Sequence, residues 1–412
     1  MHDNGHLSLF NHDSFTNGVP HKTFDRLRRE DPLCWTEGDA ETKGFWSLTR
    51  HADIMLANRN SSVFSSAQGI RLEDQSHEEY LARRTFQETD PPEHSETKRK
   101  VNNNFSIRTV AGYEELIRSL ASDIVEKALE KKEFDVVEEI AKLLPMMMLG
   151  RILGVPDDDL AWLVEKGDAL IGNTDPDFTS FVIDKMDTSE YRMMPFRSPA
   201  GVELYDYAAD VMAGRRQIDE NGLLAQMINH NDRLNEQEFK NFFCLLVAAG
   251  NDTTRYSIAM ALYQLSRDPQ LVTQLQTGDH WATCADEFIR LASPTMHFRR
   301  TATEDFELHD KTINKGDKVL LWFVSGSRDE TVFDKPHEVN LARKPNRHLA
   351  FGQGGPHVCL GIHLARLEVR IVLQELIKRI SHIEAIDEPS WTRSNFICGV
   401  KRLSVRCNRR DS

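Results

Sequence analysis

Asn235-Glu236-Gln237-Glu238 reads as a helix N-cap with a capping-box glutamate, and Pro269 stops the helical pattern that begins there. The roughly 33 residues between them span about 50 Å at a rise of about 1.5 Å each. A helix that long crosses a whole domain, so the rest of the chain must be arranged around it. Its centre is poorly suited to a helix. Ala249-Gly250-Asn251-Asp252-Thr253-Thr254 places a glycine, which costs roughly 1 kcal/mol relative to alanine, beside Asp and Thr, which also rank low. A helix weakened at its middle, inside an apolar stretch, points to function. A small residue lets a ligand approach the backbone, and Thr hydroxyls can bond back to carbonyls and open a local widening. Taken alone, a polar face or a tolerated kink explains the segment at least as well.

Around this helix the chain reads as one domain, 1–412, mainly α with small β-sheets. Apolar spacing is helical from about 92 to 170, as in Leu116, Leu120, Ile124, Val125 and Ala128. Gly44–Thr49 is β-like, and Lys315-Gly316-Asp317-Lys318 leads a strand-like patch at 305–324. Residues 174–200 and 325–350 are irregular, and a helix is expected from about 360 to 380. There is no repeat and no alternating βαβ rhythm. The 412 residues carry a formal net charge of −13, which disfavours nucleic acid and anionic membranes as partners. No segment reaches the roughly 20 apolar residues of a membrane span. The polar start Met1-His2-Asp3-Asn4-Gly5-His6 lacks a signal-peptide core. Six cysteines without a Cys-x-x-Cys pair suit a reducing cytoplasm, so a cytoplasmic protein is expected.

One of those cysteines stands apart. Phe351-Gly352-Gln353-Gly354-Gly355-Pro356-His357-Val358-Cys359-Leu360-Gly361 is a glycine-rich loop that delivers Cys359 to the start of a helix. Free N–H groups and the dipole at a helix N-terminus favour a thiolate. One buried thiolate on a tight loop is what an axial ligand to haem iron needs. A lone cysteine would more often be a buried structural one, but the surrounding run argues against that.

The loop resembles that of the cytochrome P-450 family, Phe-Gly-x-Gly-x-His-x-Cys-x-Gly followed by Leu-Ala-Arg. His357, Cys359, Gly361 and Leu364-Ala365-Arg366 fall in register. Phe351 lies eight residues before Cys359, where most members have seven. That extra residue, and the later run Arg393-Ser394-Asn395-Phe396-Ile397, look like a bacterial subgroup that oxidises sterols and methyl-branched lipids. The centre of the long helix resembles the family's oxygen-activation motif. The resemblance implies haem b (iron protoporphyrin IX) ligated by Cys359, with Gly250 making room for O₂. Asp252 and Thr253 would organise the waters that bring protons into a dry pocket.

Further residues follow from the same resemblance. Glu287 and Arg290, three apart on one helix face, with Arg343 from the coil before the loop, match a structural ion-pair set. His94, Lys98, Arg300 and His357 match the positions that hold the haem propionates; Lys98 stands where most members have arginine, and Arg299 beside Arg300 leaves a one-residue ambiguity. A steroid, terpenoid or lipid would enter between 60–90, 165–200, the 242–253 helix face, 294–298 and 396–399. Lys98, Arg99, Lys100, Arg343, Lys344, Arg366 and Arg370 cluster around the loop as a docking patch for an acidic electron donor. Nothing in the chain resembles a fused flavin or iron–sulfur domain, so a [2Fe–2S] ferredoxin with an NAD(P)H-dependent ferredoxin reductase is implied, with a monomeric enzyme. The rivals are a haem-thiolate peroxygenase or isomerase, a non-catalytic haem sensor, and a haem-free cysteine nucleophile with His357 or His363 as base.

Overall fold

The computed structural model describes residues 8–39, 42–229 and 234–410; the polar N-terminal run Met1–His6 lies outside them. The central helix is Glu236–Arg267, 32 residues long. Asn235 Oδ1 accepts from the Glu238 N–H at 2.9 Å, and Glu238 Oε2 accepts from the Asn235 N–H at 2.8 Å, the reciprocal cap read from sequence. Asp268 ends this helix and caps the next, Pro269–Gln276, whose first residue is proline. The central helix is buried on most sides, because helices Leu143–Leu153, Leu160–Ile171, Pro199–Met212 and Cys284–Ala292 all pack on it. Its residues belong to two large apolar cores, Ile258 and Leu262 to one and Phe239, Phe243 and Val247 to the other. Its weakened middle does not widen. Residues 249–254 stay α-helical, with Thr253 Oγ1 donating back to the Ala249 carbonyl at 3.2 Å.

The sheets are small and peripheral. The largest has five strands, in the order Leu33–Thr36, Phe45–Leu48, Lys318–Trp322, His297–Ala302, Phe64–Ser65. Phe45–Leu48 pairs with Lys318–Trp322 in parallel and the other neighbours are antiparallel. A three-stranded sheet joins Glu133–Asp135, Ser404–Arg409 and Ile380–Ala385. The helical stretch expected from 92 to 170 is therefore interrupted: Glu133–Asp135 is an edge strand and Val137–Ala141 a π-helical turn. The helix after the cysteine loop is Ile362–Arg379 and packs on Glu114–Ala128. Among the described residues no helix is long and apolar enough to cross a membrane.

Candidate haem-thiolate site

The loop reaches Cys359 through two close approaches. Gly354 has φ +113°, a conformation that L side chains rarely adopt, and a Cβ on Gly355 would lie 1.8 Å from the Asn58 carbonyl oxygen. Asn58 Nδ2 in turn donates to the Gln353 carbonyl at 2.9 Å. The extra residue of the loop is thus taken up against helix His51–Arg59, and Gly354 and Gly355 do not line the central cavity. The Cys359 N–H donates to the Phe351 carbonyl at 3.0 Å. Cys359 retains accessible surface, and it lines an internal cavity in which the centres of water-sized molecules have about 290 Å³. Burial pushes the thiol up, opposed by the Gly361 N–H and the charge of Lys98.

From the central helix, Gly250 and Thr253 line the same cavity. Asp252 does not. Its side chain is buried on another face, with Oδ1 at 2.8 Å from Arg255 Nη2 and 3.3 Å from Asn251 Nδ2. Arg255 Nη1 also donates to Asp168 Oδ1 at 2.8 Å. Two carboxylates share one guanidinium there; burial first, then Asp168, raises Asp252 well above the carboxylate range against the pull of Arg255. Helical geometry explains the split, since consecutive residues point about 100° apart.

Three of the four expected propionate partners reach the cavity: His94, Arg300 and His357. Lys98 does not. Its Nζ donates to the carbonyls of Pro356 at 2.9 Å and Val358 at 2.7 Å, so its charge is spent on the cysteine loop. Strand alternation points the two arginines in opposite directions. Arg300 lines the cavity and donates to the Arg299 carbonyl at 2.9 Å, whereas Arg299 turns to Asp74, 3.6 Å away. His94 places Nδ1 2.8 Å from the Phe86 carbonyl and Nε2 3.0 Å from the Pro356 carbonyl; a neutral ring can donate to only one. Its ring lies 4.0 Å from that of His357, whose Nε2 is 3.2 Å from Ser66 Oγ.

Of these three wall residues Arg300 carries the charge, because both histidines are driven toward their neutral forms. Burial lowers Arg300 to about 10, and burial with Arg300, His94 and Lys98 lowers His357 to about 2. Asp90, the carboxylate acting on Arg300, is bound to the Ser65 hydroxyl and, at 2.8 Å, the Ser66 N–H. A buried guanidinium whose nearest carboxylate is already bonded elsewhere is costly unless an anion joins it. A group with two carboxylates beside Cys359 and a slot between loop and central helix supplies that anion, so the residues fit haem.

Glu287, Arg290 and Arg343 meet as the resemblance implied. Arg290 donates to Glu287 from Nε at 2.9 Å and Nη2 at 2.8 Å, and Arg343 Nε lies 3.0 Å from the same carboxylate. Asn346 Nδ2, at 3.0 Å, is a further partner that motif spacing could not reveal. Arg343 is consequently buried and leaves the docking patch. Arg366 is paired with Asp286 at 2.7 Å and Arg370 with Glu114 at 3.4 Å; Arg99, Lys100 and Lys344 remain exposed.

Most cavity walls fall where expected, with Ile70, Phe86, Phe196, Phe298, Phe396 and Ile397 among them. Leu149, Ile152 and Leu153 were not anticipated, because their spacing in helix Leu143–Leu153 is that of any core helix. Glu368 was also missed. It is buried in the cavity wall with no cation beside it among the described residues, and burial raises its carboxyl to about 8.

Residues 282–400 match the sequence model of the cytochrome P450 family. The chain is 33% identical to the methyl-branched lipid omega-hydroxylase of Mycobacterium tuberculosis, over 93% of this chain and 90% of that protein. It is 32% identical to the linalool 8-monooxygenase of Pseudomonas putida, over 96% and 98%. A cytochrome P450 of Mycobacterium marinum solved in complex with pseudoionone superposes with a TM-score of 0.85 at 33% identity, covering 94% of each chain. The chain belongs to the cytochrome P450 family. It is a haem-thiolate monooxygenase that uses O₂ and a redox partner.

Proposed function

We propose that the chain, as a single-domain monomer in the cytoplasm, hydroxylates a lipid, terpenoid or steroid using haem b and electrons from a [2Fe–2S] ferredoxin and its NAD(P)H-dependent reductase. The observation that carries this reading is the single cavity lined at once by Cys359, Gly250, Thr253 and the Arg300–His357–His94 wall. Overall, R–H, O₂, two electrons and two protons give R–OH and water. Bound haem, held through Cys359, supplies the O₂ activation and the oxidising power for C–H cleavage. Arg300, His357 and His94 orient it by taking the propionates, and Lys98 fixes the loop carbonyls behind Cys359. Thr253 presents its hydroxyl to the cavity and holds a water there. Asp252, off the cavity and one residue before Thr253, is the proton reservoir of this reading, its carboxyl raised by burial beside Asp168 and Arg255. The apolar walls exclude bulk water and receive the substrate.

The test is spectroscopic. The purified protein is reduced, CO is added, and the Soret band is followed; a strongly red-shifted band that vanishes in Cys359→Ala is expected. Product formed from palmitic acid, linalool or cholestenone with O₂ and a ferredoxin couple identifies the class. A normal Soret position in the wild type, or an unchanged red-shifted band in the variant, removes Cys359 as the ligand.

A further inference from the structure

The cavity wall carries a second charged cluster, away from Cys359. Helix His77–Arg83 ends against the first half of the central helix, where Asn241 Nδ2 donates to the carbonyls of Ala82 at 3.2 Å and Arg84 at 3.0 Å. Asn241 precedes Thr253 by twelve residues, about 18 Å along the helix axis. Arg71, Arg83 and Arg197 line the cavity in this region.

Arg71 and Arg197 each have a buried, unbonded Nε, and Arg83 is bonded to neutral partners. Arg83 donates from Nε and Nη2 to Gln75 Oε1, at 3.2 and 2.8 Å, and from Nη1 to the Arg192 carbonyl at 3.0 Å. Among the described residues no carboxylate lies within ion-pair distance of it. Arg197 donates from Nη2 to the Asp74 carbonyl at 2.8 Å and lies 3.5 Å from Glu79 Oε1, while its Nε is buried without a partner. Arg71 pairs with Glu73 at 2.9 Å, lies 4.6 Å over the Phe196 ring and 5.2 Å from that of Phe396, and also has a buried, unbonded Nε. Phe196 and Arg197 are held at φ 58° and 49°, left-handed conformations that cost on the order of 1–3 kcal/mol each. Such strain persists where the surroundings fix it, here by Phe196 on Arg71 and Arg197 on Asp74. Of the acids nearby, Glu73 is held, against its burial, well below the carboxylate range by Arg71 and Arg197 and is matched to Arg71, Glu79 faces Arg197, and burial raises Glu88 toward its neutral form, so Arg83 keeps no ionised carboxylate at ion-pair distance among the described residues.

We propose that Arg83 and Arg197, with Arg71, seat the carboxylate of an amphipathic substrate whose apolar body extends along the cavity toward Cys359, so that oxidation falls on carbon remote from the acid. This rests on the monooxygenase reading of the Cys359 site. The roughly 18 Å offset suits an extended long-chain acid, and the remaining walls, such as Phe86, Ile152 and Leu246, are apolar.

The holoenzyme is titrated with palmitic acid and with methyl palmitate, following the Soret shift and, independently, the heat of binding. The acid is expected to bind about 10- to 100-fold more tightly than the ester, the worth of one or two charged hydrogen bonds. Arg83→Gln and Arg197→Gln should each reduce that preference by weakening acid binding more than ester binding, and product from the acid should carry oxygen near its methyl end. Equal binding of acid and ester, or a preference intact in both variants, overturns the carboxylate seat. Because the reduced CO spectrum is measured on the same preparation, a protein without a red-shifted band fails the monooxygenase reading instead.

Discussion

Replacing Glu287 with glutamine tests how the cysteine loop is supported. The carboxylate is fully buried and accepts from Arg290 Nε and Nη2, Arg343 Nε, Asn346 Nδ2 and the Asn340 N–H at 2.8–3.0 Å. Glutamine keeps the shape but removes the charge and turns one acceptor into a donor facing a guanidinium. Two buried arginines are then left without a counter-ion. Removing one partner of a buried pair costs about 3–5 kcal/mol, which at a urea slope of ~3 kcal/mol/M lowers the midpoint by on the order of 1 M. Arg290 also holds the carbonyls of Ser327 at 3.0 Å and Pro336 at 2.7 Å, and Ser327 Oγ accepts from the Leu349 N–H at 3.0 Å. The loss should therefore reach the approach to the loop. Urea unfolding of the holoenzyme, followed by Soret absorbance and far-UV circular dichroism, should show the Soret transition moving at least as far as the dichroic one. The arginines hold Glu287 below the carboxylate range, so its contribution is complete above the unfolded value of about 4.3 and fades as pH falls through the lower folded one. The difference between wild type and variant should accordingly be flat from about pH 5 to 8 and shrink in acid. A midpoint unchanged at neutral pH would refute the argument that this cluster holds the loop.

Four other variants probe the site. Thr253→Ala should raise NAD(P)H consumed per product several-fold, and Asp252→Asn should do the same without changing substrate affinity, since Asp252 lies off the cavity; an altered Soret-shift Kd in Asp252→Asn contradicts that placement. Gly355→Ala sets a Cβ 1.8 Å from the Asn58 carbonyl oxygen. It should lower the melting temperature and haem retention on gel filtration, and a fully loaded, equally stable variant would mean the loop is not pinned there. Glu368→Gln should gain stability over wild type as pH rises from about 4 toward about 8, because the folded state keeps a proton that the unfolded state releases. Parallel melting curves across that range would show that burial does not perturb Glu368.

The parts of this architecture that were legible in the sequence are those written in local backbone chemistry. The Asn235 cap, the Pro269 stop and the glycine loop act within a few residues, so spacing alone located them. What escaped was decided by direction or by distant contact. Asp252 and Thr253 are neighbours in the motif, but one residue of helical rotation sends Thr253 to the cavity and Asp252 to Arg255 and Asp168. Lys98 matches a propionate position by register, yet its Nζ finds two loop carbonyls first. Glu133–Asp135 was absorbed into a helical stretch because a three-residue edge strand has no periodicity to read; its partner, Ser404–Arg409, lies at the far end of the chain.

The central helix joins these observations into one argument about regiochemistry. Thr253 fixes where protons arrive, and Asn241, about 18 Å away along the same rigid rod, fixes where helix His77–Arg83 presents Arg83. Both ends are referenced to one element, so the distance between an anchored head group and the oxidised carbon is set by residue count along the helix rather than by loop mobility. Regiochemistry should therefore respond to substrate length. A chain shorter than the span cannot reach both ends, and must either release its carboxylate or lose oxidation near its methyl terminus. Lauric acid should accordingly show a smaller preference over its ester than palmitic acid shows over methyl palmitate, and the gap should close in Arg83→Gln. If both acids gave the same preference and the same position of oxidation relative to the methyl end, the helix would not be acting as the ruler.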